Sequence, residues 1–191
     1  MNTFFQFANK IASISEEEFE LFKPHLAPKN YKANTVVCNI GDEAKYLYFI
    51  KSGVVRTSTI SDKGKVFTRA LYSENEFFGP LSSMIKGEKS SFIYEALTDC
   101  ELVRSEHLEV QKLYKEHPKL MRFELKVLAN VYIKMEKTII NLGTKNAKER
   151  YQKLLVRFKG IENLIPQYQI ASYLGITPIQ LSRIRKVISD Q

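Results

Sequence analysis

Between Met121 and Leu142, seven apolar or aromatic side chains recur at intervals of four and three. They are Met121, Leu125, Leu128, Tyr132, Met135, Ile139 and Leu142. No Gly or Pro interrupts the stretch from Pro118 to Gly143. This is an a/d seam of three heptads, and it predicts one long helix with a narrow apolar stripe. Such a stripe can lie along the chain's own core or meet a like helix. A strict 3.5-residue repeat favours the second, so these residues are the expected two-fold dimer seam. Pro118 suits the first helical turn and Gly143 suits the stop.

Upstream the periodicity is different. Ser15-Glu16-Glu17-Glu18 reads as a capping box that opens a short helix ended by Pro24. From Tyr31 to about Val103 the pattern becomes short strands separated by turn signals. The strands are expected at Tyr46 to Ile50, Val54 to Ile60, Val66 to Tyr72, Phe92 to Leu97 and Glu101 to Arg104. Asp62-Lys-Gly64 between two of them is a hairpin turn, because Gly tolerates positive φ. Strands at this spacing predict a compact antiparallel barrel or roll.

Downstream the chain is helical and basic. Ala147 to Phe158 places Tyr151, Leu154, Leu155 and Phe158 on one face, and Lys159-Gly160 breaks the pattern. QYQIASYLGITPIQLSRIRK (167–186) then holds two helical patterns around Gly175. Ile170, Ala171 and Leu174 form the first apolar face. Thr177 can cap the second helix, with Pro178 in its first turn. Leu181, Ile184, Val187 and Ile188 are its expected buried face, and Gln180, Arg183 and Lys186 the opposite one, with Ser182 and Arg185 alongside. This is the plan of a helix-turn-helix, whose second helix enters a major groove. A helical hairpin with a solvated basic end has the same pattern. Charge bears on the choice: the net charge is +8, and residues 141–191 hold nine basic against three acidic side chains. A basic segment on a near-neutral body suggests a polyanionic partner.

Several other chemistries find little support. Cys38 and Cys100 are too few for a disulfide framework or a four-cysteine metal cluster, and both read as small buried residues. His25, His107 and His117 lack metal-ligand spacing, the latter two lying in a polar connecting stretch, so no metal is expected. There is no phosphate-cradling Gly-rich loop and no nucleophile elbow, and Asp42-Glu43 reads as a turn. The chain is not expected to be an enzyme. No apolar run is long enough to span a membrane, and MNTFFQFANK has no secretory pattern, so a cytoplasmic location is expected.

The order of parts resembles the Crp/Fnr superfamily of transcription regulators. The resemblance runs from about Ser15 to Ile188. It rests on Phe77-Phe-Gly79 within NEFFGPLSSM, Thr98-Asp-Cys-Glu-Leu102, Ala147-Lys-Glu-Arg150, Leu174-Gly-Ile-Thr177 and Leu181-Ser-Arg-Ile-Arg185. It implies an α+β fold: an N-terminal antiparallel β-roll of the cyclic-nucleotide-binding type (1–116), a long dimerisation helix (117–144) and a C-terminal all-α helix-turn-helix domain (145–191). The chain stops soon after the second helix of the motif, without the β-wing of many relatives.

The ligand cassette departs from the cyclic-AMP-binding pattern. Where that pattern has Glu after Gly, Gly79 is followed by Pro80. The arginine position falls on Ser90, followed by Ser91, and the adenine-recognising pair on Lys134 and Met135. Without the Arg, a buried phosphate lacks its fixed countercharge. The pocket implied at Phe78, Gly79, Pro80, Leu81, Ser90, Ser91, Lys134 and Met135 is therefore degenerate. Cyclic AMP is not the expected ligand, no cofactor is expected, and Lys134 or Lys89 could serve another anion. Two cysteines also rule against an iron–sulfur sensor.

DNA contact is expected through Thr177, Ile179, Gln180, Ser182, Arg183, Arg185 and Lys186. Pro178-Ile179 stands where the cyclic-AMP receptor has Arg-Glu, which implies a different palindromic operator. Arg183 is the expected guanine reader, Gln180 could read adenine, and Ile179 could touch a thymine methyl. Lys145, Lys148 and Lys186 are the expected phosphate contacts. The partners implied are double-stranded DNA, a second copy of the chain and RNA polymerase. The alternative is a small-molecule sensor whose truncated helix-turn-helix serves protein interaction instead.

Overall fold

The computed structural model describes residues 2–189. Asp190, which enters the C-terminal charge balance, and the last two positions of the 145–191 unit lie outside the described residues. The fold begins with two helices, α1 (Asn2–Ala12) and α2 (Glu16–Phe22). The expected capping box opens α2: Ser15 Oγ accepts from the Glu18 N–H at 3.2 Å, and the Glu18 carboxylate accepts from the Ser15 N–H at 3.0 Å. Helix α1 was not expected. Its spacing of Phe4, Ala8 and Ala12 is helical, and all three are buried.

Eight strands follow: β1 (Leu26–Tyr31), β2 (Thr35–Cys38), β3 (Tyr46–Ser52), β4 (Val55–Ile60), β5 (Val66–Tyr72), β6 (Phe77–Phe78), β7 (Ile93–Ala96) and β8 (Cys100–Glu106). They form two antiparallel four-stranded sheets, ordered β1-β8-β3-β6 and β2-β7-β4-β5. The expected roll is present, as are the five expected strands. β1, β2 and β6 add to them, and helix α3 (Leu81–Lys86) follows β6. Gly64 has φ +73 in the β4–β5 hairpin, as the turn requires. Cys38 and Cys100 are free and buried. Ile50, Val55, Ala96 and Leu102 fill the space between the sheets.

The polar stretch after β8 is a helix and not a connection. α4 (His107–Glu116) begins at His107 and buries Leu113 and Tyr114. A 3₁₀ turn at Pro118–Leu120 then leads into α5 (Met121–Thr144). Gly143 does not stop α5, which runs one residue further before Lys145 turns to extended backbone. The amino-terminal side of α5 closes an aromatic cluster: Phe4 of α1 lies edge-on to Phe49 of β3 at 4.9 Å and to Phe123 of α5 at 6.0 Å.

The C-terminal unit comprises α6 (Ala147–Arg157), a short α7 (Ile161–Leu164), α8 (Gln167–Leu174) and α9 (Pro178–Ser189). Tyr151, Leu154, Phe158, Ile170, Ala171, Leu174 and Leu181 form its core, and Val54, Leu71 and Leu97 of the roll pack into the same cluster. Polar contacts reinforce this docking. Thr68 Oγ1 and Ser172 Oγ are 2.8 Å apart, and Arg56 donates to both Gln169 and Glu95. Arg157 donates to the Leu71 carbonyl at 3.0 Å.

Candidate nucleic-acid interface and ligand cavity

The 167–186 stretch folds as a helix, a tight turn and a helix. Gly175, at φ +69, ends α8 in the left-handed region. The Ile176 N–H reaches back to the Ala171 carbonyl at 3.0 Å and the Gly175 N–H to Ser172 at 3.2 Å, which closes a Schellman end. Thr177 then caps α9. Its Oγ1 accepts from the Gln180 N–H at 3.2 Å, and Gln180 Oε1 accepts from the Thr177 N–H at 2.9 Å. Leu181 anchors the helix in the core, with Ile184 and Ile188 partly buried behind it. Val187, expected on that buried face, is half exposed.

This geometry separates the seven expected DNA contacts. Ile179, Ser182, Arg183 and Lys186 are all exposed and lie at the i, i+3, i+4, i+7 spacing of one helical face. Among the described residues neither Arg183 nor Lys186 forms an ion pair. Thr177 and Gln180 are engaged with each other in the cap through the Gln180 Oε1, so Gln180 presents both amide atoms to adenine only by giving up that contact. Arg185 is exposed but paired, its Nε lying 2.9 Å from Glu162. Glu162 also accepts from the Tyr151 hydroxyl. Burial and that carboxylate push the Tyr151 hydroxyl up to about 12. Lys145 pairs with Glu149 at 3.3 Å at the start of α6.

The expected dimer seam is an exposed stripe. Leu125, Tyr132, Met135, Ile139 and Leu142 are each more than half exposed, Met121 is 42% exposed, and Leu128 is partly covered. Val131, Ile133 and Ile140 widen the stripe.

The expected ligand pocket is divided. Phe78, Gly79, Leu81 and Met135 line a cavity of about 360 Å³ between the roll, α3 and α5. Phe92, Tyr94, Leu128 and Val131 complete much of its apolar wall. Phe78 is stacked on Tyr48 at 4.9 Å. Gly79 has φ +150, and a Cβ there would meet the Tyr46 carbonyl oxygen at 2.9 Å. Pro80 precedes α3 and is buried. Ser90 does not face the cavity. It is buried, and its hydroxyl donates to the Phe92 carbonyl at 2.8 Å, closing the loop before β7. Ser91 is exposed.

Lys134 lies on the adjoining cavity along α5. Its ammonium is 2.6 Å from Glu76 and 5.0 Å from the centre of the Tyr72 ring. Burial and the neighbouring Arg157 guanidinium hold its pKa below the usual lysine range, against the pull of Glu76. Lys89 is exposed on the loop before Ser90.

The sequence reading missed Arg69. This β5 residue reaches the mouth of the apolar cavity with its guanidinium 4.6 Å above the Phe92 ring and 3.2 Å from the Tyr72 hydroxyl. Nothing in its spacing marks it, because its neighbours come from strand pairing. Among the described residues no group of three His, Cys, Asp or Glu is placed to hold a metal ion. No described helix is long and apolar enough to cross a membrane.

Residues 28–117 match the family described as the cyclic nucleotide-binding domain. The chain is 22% identical to the cAMP-activated global transcriptional regulator CRP of Haemophilus influenzae, over 96% of this chain and 89% of that protein. It is likewise 22% identical to the CRP-like protein Clp of Xanthomonas euvesicatoria, over 86% of this chain and 71% of that one. Among solved structures, FixK2 from Bradyrhizobium japonicum is similar with a TM-score of 0.74 at 19% identity, over 87% of this chain and 85% of that one. The c-di-GMP responsive global regulator CLP of Xanthomonas campestris is similar with a TM-score of 0.71 at 19% identity, over 92% of this chain and 93% of that one. A double-sheet roll, a long helix and a C-terminal helix-turn-helix in this order are the fold that the chain shares with these solved structures. The Haemophilus influenzae relative is, by its description, a transcriptional regulator.

Proposed function

We propose that the protein is a homodimeric, sequence-specific DNA-binding transcription regulator that does not respond to cyclic AMP. The observation that carries this reading is the outer face of α9. Ile179, Ser182, Arg183 and Lys186 stand exposed on a helix capped at Thr177 and anchored at Leu181. A major groove admits such a helix, and the Arg183 guanidinium, unpaired among the described residues, suits the acceptor pair of guanine. The exposed stripe on α5 supports a two-fold partner, which sets two such helices on successive turns of the duplex. RNA polymerase is the further partner that a regulator of this class would address.

The roll supports the second half of the reading. Ser90, at the position of the phosphate-binding arginine, is used up in closing its own loop. Pro80 cannot supply the carboxylate that holds a ribose. The cavity beside them is walled by Phe78, Leu81, Phe92, Tyr94 and Val131, which suits an apolar molecule better than a cyclic phosphate. The alternative, a sensor whose C-terminal helices bind protein, draws on the exposure of Ile179 (67%) and Val187 (50%).

Selection of random duplexes by the purified protein at two salt concentrations tests the choice. The expected result is a palindrome with half-sites one helical turn apart and affinity falling steeply as salt rises. Selection of no sequence, or binding indifferent to salt, would sink the DNA reading. Titration with cyclic AMP in the same assay should leave the enrichment unchanged.

A further inference from the structure

A second concavity, distinct in chemistry from the apolar cavity, opens where β5, α5, α6 and α8 meet. Its volume is about 480 Å³, ample for a molecule of nucleotide size. Six basic side chains line it: Arg69, Lys134, Lys137, Arg150, Lys153 and Arg157. Among the described residues lining it, Glu76 is the sole carboxylate.

That carboxylate is shared. It holds Lys134 at 2.6 Å and Arg157 at 3.1 Å, so one negative charge faces two cations. The other cations rest on neutral groups. Arg150 donates to the Lys145 and Leu174 carbonyls at 2.7 and 3.0 Å, and its buried Nε has no partner. Lys153 donates to the Asn141 side-chain oxygen at 2.6 Å. Arg69 lies on the Phe92 ring. Lys137 forms no ion pair among the described residues.

Like charges gathered in a concave, partly desolvated place repel one another, and the walls focus their field outward. Folding tolerates this at a cost that a bound anion would remove. The cations come from three elements, so a single small charge cannot neutralise them. The wall also offers rings: Phe67 of β5 is 53% exposed there, and Tyr173 of α8 lies on the same wall.

We propose that this cleft is a second ligand site, built for a small aromatic compound carrying two or more linked phosphates. The phosphates meet Lys134, Lys137, Arg150, Lys153 and Arg157, and the ring lies against Phe67 or Tyr173. A ligand there touches the roll, the long helix and the helix-turn-helix unit at once, so its binding is coupled to how firmly the three are joined. Phosphates of a DNA backbone share this chemistry, and the test separates the two sources.

The experiment is calorimetric titration of the full chain with ADP, pyrophosphate and adenosine, in low salt without magnesium. ADP and pyrophosphate should bind and adenosine should not. The double substitution Lys137→Gln and Lys153→Gln removes two exposed cations and should weaken both phosphate probes about tenfold or more without lowering Tm. Phe67→Ala should weaken ADP and leave pyrophosphate unchanged. Absence of binding by both phosphate probes overturns the site, as does a double variant that binds them like the parent chain. If the parent binds neither probe while the double variant loses affinity equally for all duplexes, the cations serve the DNA backbone and the small-ligand site falls. This last arm leaves the DNA reading itself standing.

Discussion

Arg183 and Lys186 sit one turn apart on α9, both exposed, and the proposed function gives them different tasks. Arg183→Ala should cost about 1–3 kcal/mol at one base position of each half-site and relax the sequence preference there. Lys186→Ala should weaken all duplexes alike and reduce the slope of affinity against salt by about one. Competition binding with single-base operator variants at two salt concentrations distinguishes them, and uniform weakening by Arg183→Ala would reassign it to the phosphates. Two glycines separate backbone strain from crowding in the same way. A Cβ at Gly175 meets nothing within 4 Å, so Gly175→Ala bears only the left-handed strain, about 1–2 kcal/mol. At Gly79 the added atom would also meet Tyr46 O at 2.9 Å and Leu47 Cδ2 at 3.0 Å. Gly79→Ala should therefore lower the urea midpoint clearly further than Gly175→Ala, and equal shifts would contradict this account.

Helix α5 shows what periodicity can and cannot reveal about an element. Its existence and its stripe were legible, because a 24-residue helix repeats the 3.5-residue signal three times. The exposure of Leu125, Tyr132 and Ile139 is what a helix awaiting a like helix should show. Ile139→Asp places a charge in the C-terminal half of that stripe. It should shift the protein from dimer to monomer in sedimentation while the far-ultraviolet circular dichroism stays unchanged, since Ile139 is 68% exposed within the chain. A variant that sediments like the parent would remove α5 as the dimer element. The capped elements α2, α6, α8 and α9 were legible for a related reason: Ser15, Gly160, Gly175 and Thr177 punctuate the chain locally. α1 and α4 were not. The spacing in NTFFQFANKIA is too short to mark a helix by itself, and it is Phe49 and Phe123 that supply the surface that makes Phe4 interior.

The roll and the C-terminal unit share one apolar cluster with polar contacts beside it, and alkaline pH tests the buried tyrosines of all three clusters together. Burial raises the hydroxyls of Tyr48, Tyr94 and Tyr114, and burial with Glu162 raises Tyr151 to about 12. Each ordinarily titrates near 10. The unfolded chain therefore releases these protons first as pH rises, and the folded chain retains more of them. Stability is unaffected below that value and is lost progressively from about pH 10 to 12. Urea midpoints followed across this range should fall steeply, and Tyr151→Phe should flatten part of the slope. A midpoint independent of pH would show that these hydroxyls are solvated in the native state.

What the sequence determined by itself was local or periodic. A strand, a heptad seam, a cap and a glycine turn are each specified within a few residues, so the roll, the long helix and the helix-turn-helix plan could be read in order. The departures from the cyclic-AMP-binding pattern could be read the same way, as Pro80 after Gly79 and as Ser90 at the expected arginine position. Only tertiary structure decided which of those residues meet. It turned Ser90 away from the cavity, took Gln180 and Arg185 into a cap and an ion pair, and brought Arg69 to the cavity mouth. It also gathered six cations from β5, α5 and α6 around one carboxylate. These contacts join positions up to 113 residues apart, as between Arg56 and Gln169. Their energy depends on distance in space, which no spacing along the chain encodes.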